Sequence, residues 1–342
     1  MKKFVLVFLF SLLVSANALA QTPFYQGKTI NVIVGTKAGD VYDLYARLMG
    51  EYLSKHIPGN PNFVPQNVPG AGSMIAANQV YNVAKPDGLT IGAIFPALYF
   101  DQLLKRDQVK FDWAKFLWIG STVTSNHQMY MRSDAPYKSM DDVRNASTPP
   151  KCGGTGTTST SYYLPKLLEE TLGTKFEIVL GYQAGQDIDL AVERGEVVCR
   201  AFTITAFFAR EPFISWRKNN FVRTLIQSGA KRDERLKEVP TIYEYMDKYK
   251  TPDAGRRLAK VILAADDFGR PLVFPPGVPA DKVKILRDAF DKAVKDPALL
   301  AEAQKRKLEI DPTSGAELES LAKDVIATPP DVVQRMAKML GK

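Results

Sequence analysis

Thr29-Ile-Asn-Val-Ile-Val34, followed by Gly35-Thr-Lys-Ala-Gly-Asp40 and Val41-Tyr-Asp-Leu-Tyr-Ala-Arg47, is the stretch on which the fold turns. The first six residues are rich in β-branched side chains, which fit a pleated, half-buried strand. A polar, glycine-bearing loop comes next. Beyond it Leu44, Tyr45, Leu48, Met49 and Tyr52 recur at helical spacing, giving a helix one apolar face. Strand, loop and helix in that order form the repeating unit of an α/β protein.

The unit recurs along the chain. Strands are predicted over residues 89–94, after the Lys85-Pro86-Asp87-Gly88 turn, and over 116–119 and 128–131. Another strand ends near Gly153, runs into a loop of Gly, Thr and Ser, and gives way to a helix carrying Leu164, Leu167 and Leu168. Residues 176–180, 197–202 and 223–227 read as strands, and 187–194 as a short helix closed by Gly195. Near the end, Val283, Leu286, Phe290 and Val294 line one side of a helix over 281–294. Asp296-Pro297 then supplies an N-cap and a first-turn proline for the next. The sheets are expected to be mainly parallel. No proline- or glycine-rich linker divides the chain into halves, which suits two lobes built from interleaved segments. The crossings are expected near residues 122–126 and 227–230, where they would act as hinges.

The N-terminus carries a separate message. Lys2 and Lys3 precede an apolar run over residues 4–14, and Ala18-Leu-Ala20 offers a small-x-small cleavage pattern. Residues 1–20 therefore read as a cleavable secretory signal. The run falls short of the roughly 20 residues that span a bilayer, and no cysteine stands at the cleavage point to take a lipid. The mature chain of about 320 residues is expected in the periplasm and is long enough for two substantial cores. Losing Lys2 and Lys3 lowers the formal charge from +8 to +6. That excess favours anionic ligands but is too small and dispersed for nucleic acid. Cys152 and Cys199 survive processing in a compartment that permits disulfides, so a bond and two free thiols both stand open at this point.

Enzyme classes fare poorly. His56 and His127 are the only histidines, so the sequence offers no metal-ligand cluster. There is no Gly-x-Ser-x-Gly elbow. Gly153-Gly-Thr-Gly156 lacks the further glycine and the lysine of nucleotide-binding loops. No catalysis, cofactor or metal is expected. His56, beside Pro58-Gly59, reads as a C-terminal cap residue of its helix, and His127 as a surface or core polar group rather than a base.

Several motifs, taken in order and spacing, carry a family resemblance. They are the segment from Ile30 to Arg47, Gln66-Asn-Val-Pro-Gly-Ala-Gly72, Lys85-Pro-Asp-Gly88, Gly181-Tyr182 with Asp189-Leu190 and Arg194-Gly-Glu-Val197, Pro275-Pro-Gly-Val-Pro-Ala280 and Asp296-Pro297. Together they resemble the Bug-type solute receptors, the extracytoplasmic binding subunits of tripartite tricarboxylate transporters. The resemblance implies a two-lobed Venus-flytrap fold of the type II periplasmic binding class. Lobe 1 would comprise residues 21–123 plus 230–342 and lobe 2 residues 124–229. It implies a monomer that takes a small carboxylate between the lobes and delivers it to a small and a large integral-membrane subunit. A ligand-sensing module for a signalling partner is the alternative, and neighbouring genes for membrane subunits would discriminate.

In such receptors two loops, one per lobe, face each other across the cleft, each before a helix N-terminus that suits a carboxylate. Here they are residues 35–43 and 153–161. Gly39 and Gly156 let the backbone approach a ligand, and the hydroxyls of Thr155, Thr157, Thr158 and Ser159 add donors. Tyr182 and Gln183 would form a second-lobe wall, Thr203 would end a cleft strand, and Phe95 reads as either a cleft or a core aromatic. The first loop departs from the family's Phe-Pro-Pro-Gly-Gly-Gly-Thr-Asp pattern, keeping only Gly39 and Asp43 across Thr36 to Asp43, with Lys37, Asp40, Val41 and Tyr42 as substitutions. Asp43 is either a ligand contact or a helix N-cap. Lys37 is either a charge-assisted donor to the ligand, in which case Lys37→Met weakens binding at least tenfold, or a solvated rim residue. The resemblance also makes the strands of Cys152 and Cys199 parallel neighbours, which implies a disulfide between them.

Overall fold

A computed structural model describes residues 22–155, 159–182 and 185–341; the predicted secretory signal lies outside them. The quoted opening folds as read. β1 (Thr29–Val34) enters the loop, and Asp40 caps the helix Val41–His56, its Oδ1 accepting the Tyr42 N–H at 3.0 Å. That helix buries Tyr45, Leu48, Met49 and Leu53 on one face. His56, in its last turn, is not the expected cap, which is Ile57; its ring is drawn instead to the neighbouring carboxylate, with Nε2 3.0 Å from Asp296 Oδ2. Asp296 in turn caps the helix Pro297–Lys305, its Oδ1 accepting the Ala298 N–H at 2.8 Å. His56 therefore ties two helices together.

The remaining strands are β2 (Asn62–Asn67), β3 (Thr90–Ala93), β4 (Leu117–Ser121), β5 (His127–Arg132), β6 (Lys151–Gly154), β7 (Glu177–Leu180), β8 (Cys199–Thr203), β9 (Val222–Gln227), β10 (Pro271–Phe274) and β11 (Thr313–Ser314). They form a six-stranded sheet ordered β11-β4-β10-β3-β1-β2 and a five-stranded sheet ordered β7-β6-β8-β5-β9. Both sheets are mixed, not mainly parallel as expected. β10 runs antiparallel to β3 and β4, and β5 antiparallel to β8 and β9. The reason is the interleaving itself. Strands such as β4 leave a sheet at the cleft, so the next strand enters the opposite sheet from the cleft and must point the other way. β2 was not foreseen because Pro65 interrupts it. It survives as an edge strand, pairing only with β1, where a missing backbone donor costs little.

One core cluster is shared by the two sheets, and each sheet has a further cluster of its own. The helix Asp253–Phe268 carries Leu258, Ile262 and Phe268 into the shared cluster. Phe268 lies 5.3 Å from Trp113 and 5.0 Å from Trp118, ring centroid to ring centroid. Burying each such ring contributes roughly 1.5–3 kcal/mol. Across the second body the same core reaches Leu164, Leu167 and Leu168 of the helix Thr160–Leu172. Cys152 and Cys199 face each other across β6 and β8 with Cα atoms 4.4 Å apart and are joined by a disulfide. Where the chain passes between sheets, Gly269 crosses Val123 so closely that a Cβ would lie 1.8 Å from the Val123 carbonyl oxygen. With φ at +53°, only glycine fits there.

Candidate functional site

The first loop is held from beneath by Asp43. This carboxylate, 1 % exposed, accepts from the Gly39 N–H at 2.8 Å, Asn67 Nδ2 at 2.9 Å and Arg47 Nε at 2.9 Å. Burial alone would raise its pKa; the hydrogen bonds from Arg47, Gly39 and Asn67 outweigh that and hold it below the usual carboxylate range. Asp43 is neither the helix cap, which is Asp40, nor turned toward open space. Its role is to shape the loop, and Asn67 of the family motif completes that shape by also donating to the Thr36 carbonyl at 3.0 Å. Thr36 is buried, while Lys37 is exposed and forms no ion pair with a described residue. Gly35 is required by a close crossing: a Cβ there would meet Ser73 Oγ, which accepts the Phe95 N–H at 3.2 Å.

Tyr42 leaves this loop for the cleft. Its ring lies 4.5 Å from that of Phe95, and the Arg270 guanidinium sits 4.2 Å over its other side. Its Oη accepts from Arg270 Nη1 at 3.1 Å, and burial pushes the phenol pKa up. Arg270 lies between Gly269 and the first residue of β10. Its backbone N–H reaches Ser121 Oγ at 2.8 Å, and Nη1 donates to Ser125 Oγ at 2.7 Å.

From the second sheet, β8 delivers Arg200. Its Nη1 bonds Asp189 Oδ1 at 2.5 Å and the Gly185 carbonyl at 3.0 Å, and its guanidinium lies 4.6 Å over the Phe202 ring. Burial raises the Asp189 pKa even against this partner. On the adjoining loop Thr155 donates its N–H to Ser161 Oγ at 3.4 Å, and Ser159 Oγ lies 2.8 Å from Ser161 Oγ. Gly156, Thr157, Thr158 and Gln183 lie outside the described residues. Thr160 Oγ1 stands 3.1 Å from His127 Nε2, and His127 Nδ1 lies 2.7 Å from Asp266 Oδ1. His127 is thus a buried polar group whose ring nitrogens are both occupied, and Ser228 bonds the other Asp266 oxygen.

These groups open onto two cavities between the sheets. One, of about 550 Å³, is lined by Phe95, Thr155 and Ser159 together with Gly72 and the Asp101–Arg106 pair. The other, of about 270 Å³, is lined by Thr203 with Tyr45, Ser125, Thr160, Arg200 and Arg270. The structure therefore brings Phe95, Thr155 and Ser159 together, places Thr203 in the second cavity, and sets Tyr42 against a wall residue of each. Lys37, Gly39 and Asp43 line neither cavity, and Tyr182 packs half-buried on an aromatic cluster around Phe202. Arg200 and Arg270 were missed. A signal existed for Arg270, an arginine between glycine and proline at a helix-to-strand junction, but nothing local says that it meets Arg200.

Two α/β bodies with a polar, cation-bearing cleft between them define the class of two-lobed solute-binding receptors. The comparisons are specific. The family model for the tripartite tricarboxylate transporter family receptor matches residues 46–337, so this chain belongs to that family. A UPF0065 protein of Bordetella bronchiseptica is 26 % identical over 284 residues, 82 % of this chain and 77 % of that protein. Among solved structures, a TctC solute binding protein from Polaromonas superposes with a TM-score of 0.70 at 19 % identity, covering 91 % of this chain and 99 % of its own. The R. palustris protein Rpa4515 with adipate gives 0.64 at 19 % identity, covering 92 % and 98 %. The fold is that of the type II periplasmic binding proteins, as the sequence led us to expect.

Proposed function

We propose that this chain is exported to the periplasm, captures a small organic carboxylate between its two lobes, and delivers it to the small and large membrane subunits of a tripartite transporter. The observation that carries the reading is the cleft: Arg200 from one sheet and Arg270 from the other face a single cavity. Family membership and the adipate held by the related R. palustris protein support it. The secretory signal over residues 1–20 accounts for export.

Lobe 1 is residues 21–123 plus 230–342 and lobe 2 residues 124–229, with hinges at 122–126 and 227–230. The protein works as a monomer and carries out no reaction. Open and closed forms exchange, and the ligand favours the closed form because only there do groups from both lobes reach it. The groups available on the two sides of Tyr42 are Thr203, Arg200 and Arg270 on one and Phe95, Thr155 and Ser159 on the other. Gly156, Thr157, Thr158, Tyr182 and Gln183 are further candidates for ligand contact, and Thr36, Lys37, Gly39 and Asp43 shape and rim the first loop. A thermal-shift screen of the mature chain tests the reading. A mono-, di- or tricarboxylate at about a hundred times its dissociation constant should add roughly 2.7 kcal/mol of stability. Stabilisation by sugars or nucleotides, with none by any organic acid, would reject it.

A further inference from the structure

A hydrogen-bonded row of three side chains ends at the wall of the smaller cavity, and we infer that it makes solute capture proton-linked: a carboxylate settles against Thr160 as His127 takes up a proton. This deepens the carboxylate-receptor reading and rests on it. Thr160 lines that cavity with Ser125, Thr203 and Arg270, and it opens the helix Thr160–Leu172. Behind it His127 is 7 % exposed and Asp266 3 %. Thr160 Oγ1 lies 3.1 Å from His127 Nε2, and His127 Nδ1 lies 2.7 Å from Asp266 Oδ1. The row is anchored where the chain passes between the sheets. The Asp266 carbonyl accepts the Ser125 N–H at 2.8 Å, and Asp266 Oδ2 accepts from Ser228 Oγ. Ser228 Oγ in turn accepts the His127 N–H at 2.8 Å.

With both nitrogens held by fixed partners, the ring has one variable left, its proton count. A carboxylate only accepts, so Asp266 requires a proton on Nδ1. In the neutral ring Nε2 then holds a lone pair, which takes the Thr160 hydroxyl proton. The hydroxyl's other neighbour is Tyr163 Oη, at 3.1 Å. Thr160 can offer an incoming anion only lone pairs. The imidazolium reverses this: Nε2–H donates to Thr160 Oγ1 and frees the hydroxyl proton for the carboxylate. The solute's charge acts in the same sense. A carboxylate bonded to Thr160 lies within about 6 Å of Nε2, near enough to favour the cation. The other titratable groups around the row do not oppose the exchange. Asp267 adjoins Asp266; Tyr99, Tyr163 and Tyr243 feel the Asp266 charge, and Tyr42 and Arg270 act on Tyr163. Burial raises the pKa of all four tyrosines, so they stay neutral near pH 7. Arg200, on the same cavity, is paired with Asp189. Arg270 disfavours a second cation nearby, and a bound anion lifts that opposition.

The test is titration calorimetry on the mature full chain at pH 7.5, in buffers of low and high ionisation enthalpy. The probes are acetate, succinate, adipate and tricarballylate, all ionised at that pH, so a proton taken up enters the protein. The tightest binder should draw in about half a proton or more, equivalent to at least a threefold loss of affinity per pH unit. His127→Gln and Thr160→Val should each cut the uptake below about 0.1 proton and bind no more tightly than wild type. Thr160→Val exchanges one half-buried hydroxyl for a methyl and so keeps the test open if the core rejects glutamine; circular dichroism confirms folding. Asp267, whose pKa burial and Asp266 raise to about 6, is the rival carrier of the proton. Asp267→Asn should leave the uptake in place. Binding without uptake, uptake that survives either His127→Gln or Thr160→Val, or uptake lost only in Asp267→Asn overturns the inference and leaves the carboxylate receptor standing. If none of the four acids binds, both fall.

Discussion

Breaking the Cys152–Cys199 bond gives the most quantitative check on the second lobe. The bond joins residues 47 apart in sequence and closes β6 against β8 in direct register. On chain-entropy grounds a loop of that length confers about 4 kcal/mol by constraining the unfolded chain. For about 320 mature residues at roughly 2.1 cal/mol/K each, the entropy of unfolding is about 0.67 kcal/mol/K. Loss of the bond should then lower Tm by about 6 °C. Both cysteines are fully buried, so substitution by alanine would add the loss of packed sulfur. Comparing oxidised wild type with wild type held in reductant keeps the sulfurs and isolates the loop term. Differential scanning calorimetry reads the shift, and intact mass after alkylation of unfolded, unreduced protein reads the bond. A Tm change below about 1 °C, or two alkyl groups added without reductant, refutes the reasoning. The strands concerned matter for function, since β6 leads to Thr155 and β8 carries Arg200 and Thr203.

Lys37 is exposed and makes no ion pair with a described residue, so Lys37→Met should weaken carboxylate binding by no more than about fivefold, the value of a surface charge near 1 kcal/mol. Calorimetry at low and high salt checks this; a loss above tenfold that salt leaves intact would put Lys37 on the ligand. The surrounding protein and the neighbouring Asp266 carboxylate raise the Asp267 pKa to about 6. A raised acid stabilises the fold while protonated, fully below the ordinary value near 4, and loses that contribution as pH rises through about 6. Asp267→Asn should therefore raise Tm at pH 7.5 and change it little at pH 4. The same increment at both pH values would show that the charge is not the cause.

The elements of the fold were legible because strand and helix patterns are local. The run Thr29–Val34, the helix face from Leu44 to Tyr52 and the Asp296-Pro297 helix start needed only their own neighbours, and the order of motifs carried the family. The N-terminal pattern led to the expectation of export, and the resemblance to that of the Cys152–Cys199 disulfide, which the structure contains. Strand direction was not local: β5 and β10 run antiparallel because the chain enters each sheet from the cleft, a fact about passage between bodies. Asp43 looked like a cap or a ligand contact until Arg47, Asn67 and Gly39 closed around it. Arg200 and Arg270 looked like any strand and loop arginines. Only the packing of the two sheets against each other brings them to the same cavity and buries a donor of each. Periodicity records which face of an element is apolar; which charged groups converge across a cleft is set by how the elements dock.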